Sequence, residues 1–271
     1  MDIDARPSFF RGPFISFNSI LKNRSLLSLM VRRDLKTTYG DYYLGYAWTL
    51  LEPIFFTLVF YLVFIILRGN PDRLLPLNIM LGILIYSAFS KTVSQGSTQL
   101  VRNSGLIKQV FFARELLVAN VSAFQLVRLA LSLIIVPIYM TYMGIPITSS
   151  ILLLPLAVVG IIFLGHGCAL LLCVAVVHVR DTTMVIDISL RALFFLSGVF
   201  YSAAYIPAEF LDYHLMNPIA SYIEICRAAV LSDLTYISPM IVLRCISLSV
   251  LIFLIGSGVF NRYQNRAVIH L

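Results

Sequence analysis

The segment SQGSTQLVRNSGLIKQVFFARE, residues 94–115, lies between two long apolar runs and belongs to neither. It is too polar to cross a bilayer and too long for a simple connection. Leu106, Ile107, Val110 and Phe111 recur at helical spacing, with Arg102, Lys108 and Arg114 around them. That pattern predicts a short amphipathic helix held between two membrane spans. Such a helix is a place where another protein can push.

Outward from this segment the chain is apolar. Hydrophobic residues make up 59% of it and charged residues 12%, at a mean hydropathy of +0.91. This excludes an ordinary soluble domain, which needs a polar surface. The expectation is an all-α polytopic membrane protein forming one transmembrane domain over residues 1–271. Its parts would be an N-terminal cytoplasmic and interfacial segment (1–45), a six-span bundle (46–260) and a cytoplasmic tail (261–271). At about 20 residues per span, the crossings fall at Tyr46–Leu67, Leu74–Val93, Leu116–Met143, Ser149–Val177, Val185–Ala204 and Pro239–Phe260.

Basic loops stay cytoplasmic, and this sets the orientation. Arg6, Arg11, Lys22, Arg24, Arg32, Arg33 and Lys36 precede the first span. Lys91, Arg102, Lys108 and Arg114 cluster at the quoted segment, Arg180 follows the fourth span, and Arg262 and Arg266 follow the last. Only Arg68, Arg73 and Arg227 fall on the other side. Both termini are therefore expected in the cytoplasm. Topology accounts for the net charge of +7, with some attraction to anionic lipid and no nucleic-acid partner. The opening MDIDARPSFF lacks the layout of a cleavable signal, so the first span should act as its own insertion signal.

Leu27, Met30, Val31 and Leu35 share one helical face between Asn23 and Tyr39, which predicts an interfacial helix with its apolar side on acyl chains. A helix packed on protein is the alternative. Tyr39, Tyr42, Tyr43 and Trp48 then mark the bilayer boundary. Between the last two spans, Pro207 and Asn217-Pro218 each open a short helix, and the stretch from Ile219 to Leu231 is too short to cross. These are expected to dip into the outer leaflet and return. Glu224 and Arg227, spaced i, i+3, can pair on one face.

No phosphate loop, dinucleotide fingerprint or zinc-protease motif occurs in the sequence, and the four histidines are dispersed. Cys168, Cys173, Cys226 and Cys245 lack metal-ligand spacing and read as packing residues. No metal site and no catalytic residue is expected. Arg32, Arg33 and Asp34, with Arg180 and Asp181 of a short cytoplasmic turn, form a candidate gate. Glu52, Arg128, Asp187 and Arg191 are charges inside spans, which are functional by default. Arg128 falls about 18 Å deep at 1.5 Å per residue, with Glu52 a partner for it or for Arg191. A purely structural pair is the alternative.

Four motifs in register resemble a family. LKTTYGDYYLGYAWTLLEP (35–53), NSGLIKQVFFARE (103–115), Arg180-Asp181 and NPIASYIEICRAAV (217–230) look like the membrane subunit of bacterial polysaccharide ABC exporters, over nearly the whole chain. The resemblance implies a homodimer in the bacterial cytoplasmic membrane that carries two copies of a separate ATPase subunit, which binds ATP and Mg. It implies that Leu106, Ile107, Lys108, Phe111, Phe112, Arg114 and Glu115 contact that ATPase. Ala113 departs from the family pattern, which often has proline there. It also makes Pro207, Asn217, Pro218, Glu224 and Arg227 an outer gate. Aromatic faces let a glycan slide, which makes Tyr61, Tyr86, Tyr139, Tyr142, Tyr201 and Tyr222 candidates for a channel lining, or else core and interface residues. A permease for small hydrophobic molecules or lipids and a membrane enzyme acting on lipid-linked sugars are the rival readings.

Overall fold

In hydrocarbon each backbone N–H must find a carbonyl on its own segment, so apolar runs of this length fold as helices. The computed structural model describes residues 12–68, 73–110 and 112–269. Among them it contains no strand and thirteen α-helices: α1 (Gly12–Lys22), α2 (Arg24–Tyr39), α3 (Trp48–Arg68), α4 (Leu75–Ser97), α5 (Gln99–Arg102), α6 (Ser104–Gln109), α7 (Glu115–Ser132), α8 (Ile135–Met143), α9 (Leu153–His178), α10 (Thr182–Leu196), α11 (Ala208–Met216), α12 (Pro218–Leu231) and α13 (Pro239–Ile269).

Helix α9 is the hub, packed against α4, α7, α12 and α13. Small residues set its closest approach. A Cβ on Gly256 of α13 would stand 2.2 Å from the Gly167 carbonyl oxygen of α9, so only glycine lets these two helices lie backbone to backbone. Helix α12 is sunk between α4, α9 and α13, with every residue from Ile219 to Val230 buried. Helices α3 and α10 sit at the margin and turn Phe55, Leu58, Leu62, Met184, Ile188 and Phe195 outward. Without lipid or a second chain against them, these faces would be too apolar for water.

Among the described residues five stretches are long and apolar enough to cross a membrane: Gly45–Leu67, Leu75–Ser97, Glu115–Met143, Ser149–His178 and Pro239–Gln264. They correspond to the first four and the last of the predicted spans. The third is broken between α7 and α8, where Pro137 in the first turn of α8 has no N–H to continue the ladder. The expected fifth span does not run as one helix. Helix α10 has 15 residues, about 22 Å at 1.5 Å per residue, and stops at Ser197-Gly198. Gly198 takes φ +66, with the His214 ring within 2.8 Å of where a Cβ would lie.

Three further expectations change. Helix α1, unforeseen from the sequence, lies on α13 and α7. It is tied there by Asn261 Nδ2, which donates to the Gly12 carbonyl at 3.1 Å and to Ser16 Oγ at 2.6 Å. The apolar face of α2 leans on α7 instead of acyl chains, with Val31 buried; protein offers it better packing than lipid does, and Leu26 and Leu29 are left exposed beside it. Helix α13 continues past Phe260, the expected end of the last span, to Ile269. Arg6 and Arg11 lie outside the described residues.

Candidate functional site

One face of α4 organises the polar interior. Lys91, Ser94, Gln95 and Thr98 recur at helical spacing along it. Helix α3 brings Glu52 to this face and α7 brings Gln125 and Arg128, one turn apart. Glu52 accepts from both cations, Arg128 Nη2 at 2.6 Å and Lys91 Nζ at 2.9 Å. Gln125 Nε2 donates to Gln95 Oε1 at 3.0 Å. Across α4, helix α10 supplies Asp187, which accepts from Ser94 Oγ at 3.1 Å, and Arg191 one turn further on.

These side chains line neighbouring cavities that share residues. One of about 300 Å³ lies between α3, α4 and α7; its polar end is Glu52, Lys91 and Arg128, and its apolar end Phe56, Phe60 and Phe194. A second, of about 510 Å³, shares Lys91 and Phe194 and reaches Asp187 and Arg191. A third, of about 400 Å³, shares Ser94 and Gln95 with the second and ends at Arg102 and Arg180. Together they make a groove along α4, polar toward the α2 end and aromatic toward the α11 end.

Beyond the aromatic end, next to Phe200, lies a buried ion pair. Breaking α10 at Ser197-Gly198 frees backbone groups that, inside a bilayer, must be satisfied by protein. Arg227 of α12, its side chain 3% exposed, supplies the donors. Its Nη2 donates to the carbonyls of Asn78 at 2.9 Å and Val199 at 3.0 Å. Its Nη1 donates to the Tyr201 carbonyl at 2.8 Å and to Glu224 Oε1 at 2.6 Å. Glu224 in turn accepts from the Ala203 amide at 3.1 Å. Asn217 caps α12 by accepting from the Ile219 amide, and its Nδ2 donates to Ser197 Oγ. Phe60 and Phe200 meet beside this pair at 4.1 Å between centroids, their rings tilted by 44°, with Phe194 edge-on to Phe200 at 4.9 Å.

At the opposite end, the segment quoted at the outset folds as the end of α4, then α5, α6 and an extended strand-like turn at Val110 before α7. Leu106, Lys108 and Val110 point outward. Ile107 and Phe112 turn in, onto an apolar cluster with Leu100, Leu117 and Ala169. Glu115 is 4% exposed in the first turn of α7. Arg114 Nη1 donates to the Gln264 carbonyl of α13 at 3.2 Å; burial holds its guanidinium below the usual value, against the pull of Glu115. Phe111 lies outside the described residues.

The model of the family described as ABC-2 type transporter matches residues 25–231, which run from α2 to the end of α12. The chain belongs to this family. The chain is also similar to the O-antigen export system permease protein RfbA of Myxococcus xanthus, 31% identical over 190 residues (69% of this chain, 72% of the relative). The polysialic acid transport protein KpsM of Escherichia coli is 24% identical over 249 residues (88% and 92%). The capsule polysaccharide export inner-membrane protein CtrC of Neisseria meningitidis serogroup A is 24% identical over 259 residues (91% and 94%).

Within this ABC-2 transporter the sequence-predicted residues fall into separate groups. Glu52 pairs with Arg128, not with Arg191. Arg33 pairs with Asp34 on α2, and Asp34 also accepts from Asn120 of α7 at 2.5 Å. Arg32 is exposed on the same helix, whereas Arg180 and Asp181 form the turn that starts α10. Pro207 precedes α11 and is exposed. Of the seven coupling candidates, Ile107 and Glu115 are buried, whereas Leu106 and Lys108 are exposed.

The six tyrosines are dispersed as well. Tyr222, 1% exposed, is core: its ring fills the space opposite Gly160, and its hydroxyl meets Ser249 Oγ at 2.7 Å. Tyr86 is buried with its hydroxyl on the Leu190 carbonyl. Tyr139 reaches the Arg73 carbonyl at 3.1 Å, Tyr142 is exposed, Tyr61 is half-buried in the main core, and Tyr201 donates to the Phe195 carbonyl at 3.3 Å. Of the six, Tyr86 lines the second cavity, edge-on to Phe194 at 5.2 Å between centroids; the rest of the aromatic end is made by phenylalanines that sequence reasoning passed over. The density of aromatic residues in FFLSGVFY, residues 194–201, was the available signal. Among the described residues no group of His, Cys, Asp or Glu could hold a metal.

Proposed function

We propose that this chain is the permease subunit of an ATP-driven exporter that moves a polysaccharide or lipid-linked glycan across the bacterial cytoplasmic membrane. The similarity to O-antigen, polysialic acid and capsule export proteins over most of each chain carries the reading. In this reading two copies of the chain bind two copies of a separate ATPase, which holds ATP and Mg. Leu106 and Lys108 present the docking surface, and Ile107, Phe112 and Arg114 transmit its displacement to α7 and α13. Both termini are cytoplasmic. Helix α10 with the irregular segment after it makes the fifth of six crossings, and α11 and α12 form the outer closure. The groove along α4, opening between α3 and α10, becomes part of the path where two copies meet.

The test is deletion of the gene, with immunoblotting of surface and intracellular glycan. Glycan should accumulate inside and vanish from the surface. Normal surface glycan in the deletion strain would sink the proposal.

A further inference from the structure

The charges facing the cavity between α3, α4 and α7 do not balance. Glu52 is shared by Lys91 and Arg128, so two cations face one carboxylate. Arg128 is the more deeply buried, and its Nε has no hydrogen-bond partner. Lys91 has donors to spare beyond its bond to Glu52. Beyond Glu52, Arg128 meets Gln125 at 3.5 Å from its Nη1 and the side chain of Tyr39, neither of which carries a balancing charge. An unbalanced cation inside a membrane protein is costly unless an anion or water answers it.

Two cavities meet at this cluster, and their linings differ. Toward α2, the charges face a cavity of about 460 Å³ rimmed by Thr38, Tyr39, Tyr42 and Trp48, residue types that sit at headgroup level. Away from it, the same charges floor the apolar cavity of Phe56, Phe60 and Phe194. Glu52 is four residues into α3, about 6 Å along the helix from Trp48. The cluster is thus within reach of one headgroup layer, with an aromatic mouth on one side and an apolar slot on the other. That is the shape of an amphiphile with a negative head.

We infer that Lys91 and Arg128 bind the phosphate of an anionic lipid whose chain lies along Phe56 and Phe60, with Glu52 weakening the site enough for release. Arginine offers phosphate a planar fork and lysine a point charge, and charge-assisted bonds of this kind are the strong ones. The inference does not depend on which cargo is exported. The phosphate has two possible sources, bulk phospholipid or a phosphate-bearing lipid that carries the cargo.

The test is native mass spectrometry of the full-length protein in detergent, titrated with phosphatidylglycerol, phosphatidylcholine or inorganic phosphate. Lys91→Gln, which alters a partly exposed side chain, should weaken phosphatidylglycerol about tenfold, the scale of one charge-assisted bond, and Arg128→Gln at least as much. Glu52→Gln should tighten it, a sign that no merely structural role predicts. Equal retention by all four proteins, preference for phosphatidylcholine, displacement by inorganic phosphate, or weaker binding to Glu52→Gln would each overturn the assignment. Protein purified from glycan-producing and glycan-deficient strains separates the sources. A phosphate lipid retained from both is bulk phospholipid, and one retained only from the producing strain is the cargo's carrier. Retention from neither overturns the inference.

Discussion

Replacing Arg227 by methionine removes the guanidinium and keeps most of the volume. Four acceptors lose a partner at once: the carbonyls of Asn78, Val199 and Tyr201, and the Glu224 carboxylate. Breaking one side of a buried ion pair costs about 3–5 kcal/mol, and Glu224 is only 6% exposed. Hydrogen bonds inside membrane proteins average about 0.6 kcal/mol, so the three carbonyls add a smaller amount, and the total is about 5 kcal/mol. Pairing Arg227→Met with Glu224→Gln removes the stranded charge and should bring the loss to about 2 kcal/mol. Arg227→Lys keeps the charge but not the fork and should fall between. Unfolding of the purified chain in micelles reads these values, and hydrogen exchange should show residues 197–207 opening before the rest. If Arg227→Met stays within about 1 kcal/mol of the parent, or the double variant is worse than either single change, the closure argument is wrong.

Lys108→Glu, on the outward face of α6, should abolish co-purification with the ATPase and leave the thermal midpoint unchanged. Ile107→Ala should instead lower stability by about 2–3 kcal/mol, seen by thermal melting of the same preparation. Gly256→Val forces α13 away from Gly167 and should cost at least about 1–3 kcal/mol by overpacking, read by the same unfolding assay. The carboxyl of Asp233 is held below its usual range by hydrogen bonds from the hydroxyl and amide of Thr235. That contribution is present above the ordinary carboxylate range and is lost as pH falls through the lowered value, so exchange of the Thr235 amide should rise only in acid.

Much of this architecture is readable in the residues, for identifiable reasons. A span announces itself by length and apolarity, so five crossings could be placed from composition alone. Glu224 and Arg227 are one turn apart, and helical spacing brings them together wherever the helix lies. Arg128 sits inside an apolar run, where a cation needs an answering charge, and Glu52 is an acid that supplies it. The end of α10 is hidden because SGVFYSAA is as apolar as the helix before it, and the groups that answer its freed polar atoms come from further along the chain: Arg227 for the carbonyls, Glu224 for the Ala203 amide and Asn217 for the Ser197 hydroxyl. The burial of Tyr222 depends on Gly160 of another helix. Helix α1 was missed because its amphipathic face is answered by Gly258 and Asn261 at the other end of the chain. The segment 94–115 was legible as a unit, but its division into outward Leu106 and inward Ile107 follows from the cluster beneath it.

The closure by Arg227 also bears on synthesis. The Val199 carbonyl waits for a side chain made 28 residues later. At a synthesis rate of about 5–20 residues per second, that is roughly one to six seconds in which the end of α10 has no protein partner. During that interval the segment must stay near water, in the insertion machinery or at the membrane surface, because lipid offers its carbonyls nothing. Arrival of α12 therefore fixes when the preceding stretch can settle, and a delay before residue 227 would leave the protein open to quality-control proteases.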